Sequence, residues 1–276
     1  QIAALDATDM AEFAATQVAA MTTTQVGALS NTNFAALADT QVEALTTTQL
    51  TAVSATKIAA MTATQTGALT STQIASLSTT QVRAFTNANL SALDASQSAA
   101  LTGAQIESLS TGQINSLNAT DVADLTATQV AALNTAQIDG LESNQIAALS
   151  NSAVQGLSTL QLGALSTVDF AAMSSAQIGA LTTSQLRSLG TVDIQAIGTE
   201  DIAALGASGL TALSSTQFAA LTAAQIGGLS TLQLVTLGTA QMAALTSAQV
   251  ASLQTDDIKA LSVAQVAALS TAGITG

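Results

Sequence analysis

The sequence predicts an all-α solenoid of very short helices, one per eight-residue repeat. Three observations carry that reading. An eight-residue phrase recurs from end to end without insertion or deletion, each copy holds the signal that starts a helix, and Ala, Leu, Ser, Thr and Gln dominate the composition. Internal periodicity of this kind is the mark of repeat architectures, in which stacked units bury a core that no single unit could bury alone.

Counted from Gln1, the 276 residues give 34 octads and a four-residue remainder. The stretch TATQVAALNTAQIDGL, Thr126 to Leu141, shows two successive copies. Slot one is mostly Gln, with Asp, Asn or Lys at Asp9, Asn33, Lys57, Asp121 and Asp193 among the departures. Slot two is apolar except at Thr66 and Ser98. Slot four is small, and slot five is Leu with occasional Met21, Val53, Phe85 or Ile197, never polar. Slot six is chiefly Ser or Thr.

Slots six and one together make a capping box, as in Ser78 with Gln81, Thr126 with Gln129 and Thr246 with Gln249. The hydroxyl accepts the N–H three residues on, and the Gln side chain reaches back to the cap's own N–H. The leucine before the cap and the Ile or Val four residues into the helix form a hydrophobic staple, as in Leu125 with Val130. A new start signal therefore arrives before the previous helix has completed two turns. The helix must break there, because at 3.6 residues per turn eight residues overshoot two turns by roughly 80°, and an unbroken helix would spiral its apolar stripe into solvent. Helices this short are unstable alone, so coil-on-coil stacking must hold them. An even period also keeps side-chain parity in a strand, so a β-solenoid is the alternative. Ala, Gln and Leu favour the helical reading over it. The unbroken frame predicts a single solenoid over residues 1–276.

Composition excludes much. There is no His, Cys, Trp, Tyr or Pro, and charged residues are 8%. Without cysteine there is no disulfide framework and no thiolate chemistry. A net charge of −13, with Lys57, Arg83, Arg187 and Lys259 as the cations, disfavours nucleic acid, which binds through phosphate neutralisation. No apolar run approaches the roughly 18 residues of a membrane span, so no membrane insertion is expected. No phosphate loop, nucleophile elbow or calcium loop occurs. The acid pairs Glu200–Asp201, Asp256–Asp257, Asp121/Asp124 and Asp139/Glu142 read as surface or helix-start charges, with weak calcium sites as the other possibility. Catalytic, cofactor-binding and metal-binding residues are therefore expected to be none, and the chain is not expected to be an enzyme.

Slot eight changes along the chain. It is threonine at Thr8, Thr16, Thr24, Thr32, Thr40, Thr48, Thr56, Thr64, Thr72 and Thr80, a candidate ice- or surface-binding column. Later it turns apolar at Leu160, Val168, Val192 and Leu232, a candidate self-association surface, since exposed apolar patches mark interfaces. Gly190, Gly198 and Gly206 replace three successive hydroxyl caps; glycine caps a helix without the hydroxyl bond, which makes this the expected soft joint.

The phrase LTATQVAAL, Leu125 to Leu133, resembles the first-helix phrase of TAL-effector repeats, which implies a short helix start there. The chain lacks the length and basic character of those repeats. The threonine array resembles those of ice-binding proteins, and implies a hydroxyl–methyl face against ordered water. In composition and period, the whole chain is similar to octapeptide-repeat tracts of large bacterial secreted and surface proteins. That resemblance implies an extracellular or cell-surface scaffold, filament, fibre or adhesin stalk. Ile2, Leu5, Ala268 and Leu269 keep the repeat running toward both ends. Solenoids with open ends favour head-to-tail contacts, so the expected partner is the chain itself.

The slot assignment makes a direct prediction. Leu149→Asp should bury an unpaired carboxylate and lower the thermal midpoint by many degrees, at a cost above about 4 kcal/mol. Ala147→Glu, two residues earlier at slot three, should change it by less than about 0.5 kcal/mol. Equal effects in circular-dichroism melts would reverse inside and outside.

Overall fold

The computed structural model describes residues 5–269; Ile2 lies outside them. Among the described residues there are 33 helices of four to six residues, from Ala7–Glu12 to Val263–Ala268, and no strand. The helical solenoid is thus the observed class and the β-solenoid is not. The chain divides into two compact units, Gln1–Leu141 and Glu142–Gly276, and the same octad geometry runs through each.

One octad shows how the chain turns. Thr126 is extended at φ −73°, ψ 159° and caps the helix Ala127–Ala132. Its N–H donates to Gln129 Oε1 at 2.8 Å, and the Gln129 N–H donates to Thr126 Oγ1 at 3.3 Å. Leu133 ends the helix at φ −63°, ψ 137°, and the next cap, Asn134, is again extended. Two extended residues therefore make each corner. No described residue has a positive φ, so the corners need no glycine, and the leucine at each corner is free to point inward.

Slots two and five line the core. Val26, Ile58, Ile106, Phe170 and Phe218 at slot two are fully buried, and Leu29, Leu77, Leu133 and Leu221 at slot five nearly so. The polar exception Thr66 is buried too, and its hydroxyl donates to Thr62 O and accepts from Asn89 Nδ2.

The slot-one glutamines set the size of the coil. Gln105 Nε2 donates to Leu77 O at 2.7 Å and to Ile74 O at 3.0 Å, 28 and 31 residues back. Gln81 does the same to Val53 and Leu50, and in the second unit Gln225 does so to Ile197 and Ile194. An offset of 28 residues is three and a half octads. Each helix accordingly packs on the one three octads earlier, as α13 (Gly103–Ser108) does on α10 (Thr79–Arg83). Its glutamine meanwhile reaches the end of the helix four octads earlier, here α9 (Ser71–Ser76). Staggered this way, every helix bridges two below it.

The coils also approach closely at slot three. A Cβ on Gly227 would lie 3.1 Å from Ser252 O, and one on Gly67 would lie 3.2 Å from Ala92 O. At these two glycines one coil's backbone rests against the next, whereas slot three elsewhere holds side chains as long as Glu43 and Arg83.

A buried carbonyl that loses its donor costs about 1–3 kcal/mol. Gln105→Leu, which strands Leu77 O, leaves Ile74 O with the Leu77 N–H alone and opens the capping box, is expected to lower the stability of its unit by about 2–3 kcal/mol in urea titrations. Gln17→Leu should cost less than about 1 kcal/mol, since Gln17 is exposed and, among the described residues, its side chain makes only the cap bond to Ala14 N. Equal losses would mean that the inter-coil bonds contribute nothing beyond capping.

Candidate interaction surfaces

The polar side chains of the repeat are mostly committed to the fold. The slot-six hydroxyls are helix caps, and slot one is a ladder of donors between coils. Three of the departures from Gln at slot one keep a donor. Asn33 Nδ2 bonds Leu5 O, Asn89 Nδ2 bonds Met61 O, and buried Lys57 extends its Nζ to Gly27 O at 2.8 Å. Sequence reading assigned slot one a capping role alone and missed this second one. The signal was present: a capping box accepts Glu as readily as Gln, yet no slot-one residue is Glu. A glutamate there would set a carboxylate oxygen against the carbonyls of the coil below.

Aspartate at slot one is too short to do so and is accommodated differently. A slot-seven hydroxyl from the helix three octads earlier turns to meet it. Ser143 Oγ donates to Asp169 Oδ1 at 2.8 Å, Thr231 Oγ1 to Asp257 Oδ1 at 2.7 Å, and Ser175 Oγ to Asp201 Oδ1. The acid pairs divide accordingly. Asp257 is buried within this arrangement, whereas exposed Asp256 pairs with Lys259 at 3.3 Å. Asp121 closes the capping box of Asn118. Among the described residues, no three His, Cys, Asp or Glu side chains come together as a metal site.

The ten threonines from Thr8 to Thr80 are all exposed. A coil of three and a half octads sets successive slot-eight residues on successive sides, so they wind around the first unit. They do not form the single column that their spacing in sequence suggests. Two of them also turn inward on their own caps, Thr56 bonding Ser54 Oγ and Thr64 bonding Thr62 Oγ1.

The apolar slot-eight residues are exposed as well: Leu160 at 74%, Val168 at 65%, Val192 at 63% and Leu232 at 79%. Three of them come together. Val192 follows Leu160 by four octads and Val168 by three. The stagger of the coil therefore seats it one coil above the gap between them. Leu232 lies apart. Val235 and Val263, outside the slot-eight pattern, are exposed apolar residues as well.

The two outermost coils differ from the interior. In the first, Gln17 and Gln25 are exposed, and Leu5, Phe13 and Met21 are only half-buried. A shallow depression of about 260 Å³ opens there between Leu5, Asp9, Glu12, Phe13 and Gln17. In the last, the slot-two residues Ile258 and Val266 are 42% and 45% exposed, although their interior counterparts are buried. No described helix is long and apolar enough to cross a membrane.

Replacing Leu160, Val168 and Val192 together by threonine, the residue slot eight holds early in the chain, should leave stability within about 0.5 kcal/mol of the parent. A loss above about 1 kcal/mol in urea titrations would show that the three pack inward.

Comparison with known families adds one finding. The family model of the ALTTAQ repeat matches in six overlapping copies, at residues 114–151, 138–173, 154–191, 194–231, 227–255 and 250–276. Those copies cover more than half of the chain. The family's phrase corresponds to slots four to eight and the following slot one, as in Ala132 to Gln137, ALNTAQ. No curated protein matches the chain.

Proposed function

We propose that this chain, which belongs to the ALTTAQ repeat family, is a non-enzymatic structural element of the cell exterior. It forms or extends a filament, fibre or adhesin stalk by stacking coil on coil. The observation that carries this reading is the ladder itself. A laddered coil turns slot-one amides to one side and helix-end carbonyls to the other, as Gln105 meets Leu77 O and Gln225 meets Ile197 O. Among the described residues, Gln17 and Gln25 are exposed at slot one and Ile258 and Val266 at slot two.

Inside each unit the same two faces meet as the Gln-to-carbonyl ladder over slots two and five. A second copy, set head to tail, can repeat that contact with no new chemistry, and heterologous contacts of this kind produce open filaments. The non-enzymatic reading is supported by the commitment of slot-six Ser and Thr to caps and of Gln to the ladder, and by a sequence that holds neither His nor Cys to activate or serve as a nucleophile. The placement outside the cell rests on the resemblance to repeat tracts of secreted and surface proteins and on the absence of cysteine.

Negative-stain electron microscopy over a concentration series is the test. Filaments that lengthen with concentration, and shorten when Ile258→Asp and Val266→Asp are introduced together, are the expected result. Monomeric particles at every concentration would overturn head-to-tail assembly.

A further inference from the structure

Slot one of the second unit lacks a side-chain donor singly at Ala153, Asp169 and Asp257, and three times in succession at one place. Helices α24 (Thr191–Ala196), α25 (Thr199–Ala203) and α26 (Ala207–Ala212) carry Asp193, Asp201 and Gly209 at slot one. It is the only run of three successive slot-one residues in the chain without a side-chain donor. Since a coil takes three and a half octads, nearly a full turn of the solenoid rests on the coil below with no amide ladder. The coil above is the opposite: Gln225, Gln233 and Gln241 each donate across to these three helices or the residue that ends them.

Several features coincide at the same seam. The three helices are capped by Gly190, Gly198 and Gly206, none with a side-chain cap bond. Leu165, Met173 and Leu181, whose carbonyls take up the 28-residue position beneath slot one, are buried and receive no glutamine. Phe170, wholly buried, loses a second donor, because the Met173 N–H turns to Asp169 O rather than to Phe170 O. What crosses the seam is apolar packing, the bond from Ser175 to Asp201, and a long contact from Arg187 Nε to Ala212 O at 3.4 Å. The exposed cluster of Leu160, Val168 and Val192 straddles the same seam.

We propose that this seam, between α24–α26 and the coil of residues 161–189 beneath them, is a built-in opening point. There the coils of the second unit part before any other pair of coils within that unit. Parting bares the slot-two and slot-five side chains on both sides, Leu165 and Met173 below and Ile194 and Ile202 above, while the solenoid on either side stays laddered. The proposal does not depend on head-to-tail assembly. In a stalk under load, such a seam would be where extension begins.

The chain contains no cysteine, so a single introduced thiol reports opening directly. Met173→Cys places one beneath Asp201, and Leu205→Cys places one beneath Gln233 in the laddered seam above; both positions are buried. The thiol at 173 is expected to react with a soluble maleimide at least tenfold faster than the one at 205. Adding Asp193→Gln and Asp201→Gln, which restores two rungs, should cut that rate to the level seen at 205. Hydrogen exchange reads the unsubstituted chain in the same way. The Ile202 amide, bonded to Gly198 O, should exchange faster than the Ile226 amide, bonded to Thr222 O. Equal labelling rates at 173 and 205, or a rate at 173 that the restored glutamines leave unchanged, would overturn the proposal.

Discussion

A glutamine side chain has one acceptor and one donating end, and this solenoid uses both in most octads. At Gln81, Oε1 takes the Ser78 N–H and Nε2 reaches Val53 O and Leu50 O in the coil below. The first contact starts a helix; the second fixes where that helix lies on its neighbours. Short helices leave a large share of their amides and carbonyls without intrahelical partners, and here one side chain meets both ends of that deficit. The leucine and isoleucine core supplies most of the stabilisation by leaving water. It is non-directional, however, and would tolerate a sliding coil. The ladder removes that freedom.

The departures from glutamine follow from the same constraint. Asparagine and lysine can still donate, so Asn33, Asn89 and Lys57 keep the bond with altered reach. Aspartate cannot donate, and a serine or threonine hydroxyl from the coil below donates to it in return at Asp169, Asp201 and Asp257. Buried polar groups in cores are generally satisfied, and no buried side-chain nitrogen or oxygen here lacks a partner among the described residues. The rearrangement leaves the backbone carbonyls below without an amide. Where three such octads fall in a row, that shortfall gathers in one seam instead of being diluted along the chain.

Surface chemistry is correspondingly sparse. With slot-six Ser and Thr and slot-one Gln engaged in capping and laddering, what remains outward is alanine, the slot-eight threonines, scattered acidic side chains such as Glu43, Glu107 and Asp139, and a few apolar residues in the second unit. Such a surface offers repetition and little local specificity. That repetition is the physical basis for the proposed scaffold or stalk role.

The sequence by itself determined the helical class, the length of each helix and its two ends. Those depend on contacts within eight residues, between Thr126 and Gln129 or between Leu125 and Val130, and a linear pattern records such contacts fully. It also determined which slots face inward, because Leu149 and Ile146 recur at fixed spacing. Only the tertiary structure decided how many octads close a coil, since that rests on bonds 28 and 31 residues apart that leave no local trace. That long-range offset also wound Thr8 to Thr80 around the first unit and separated Leu232 from Leu160, Val168 and Val192. The absence of Glu from slot one was the single local hint of it. Interpreting that absence required knowing that a row of carbonyls lay beneath.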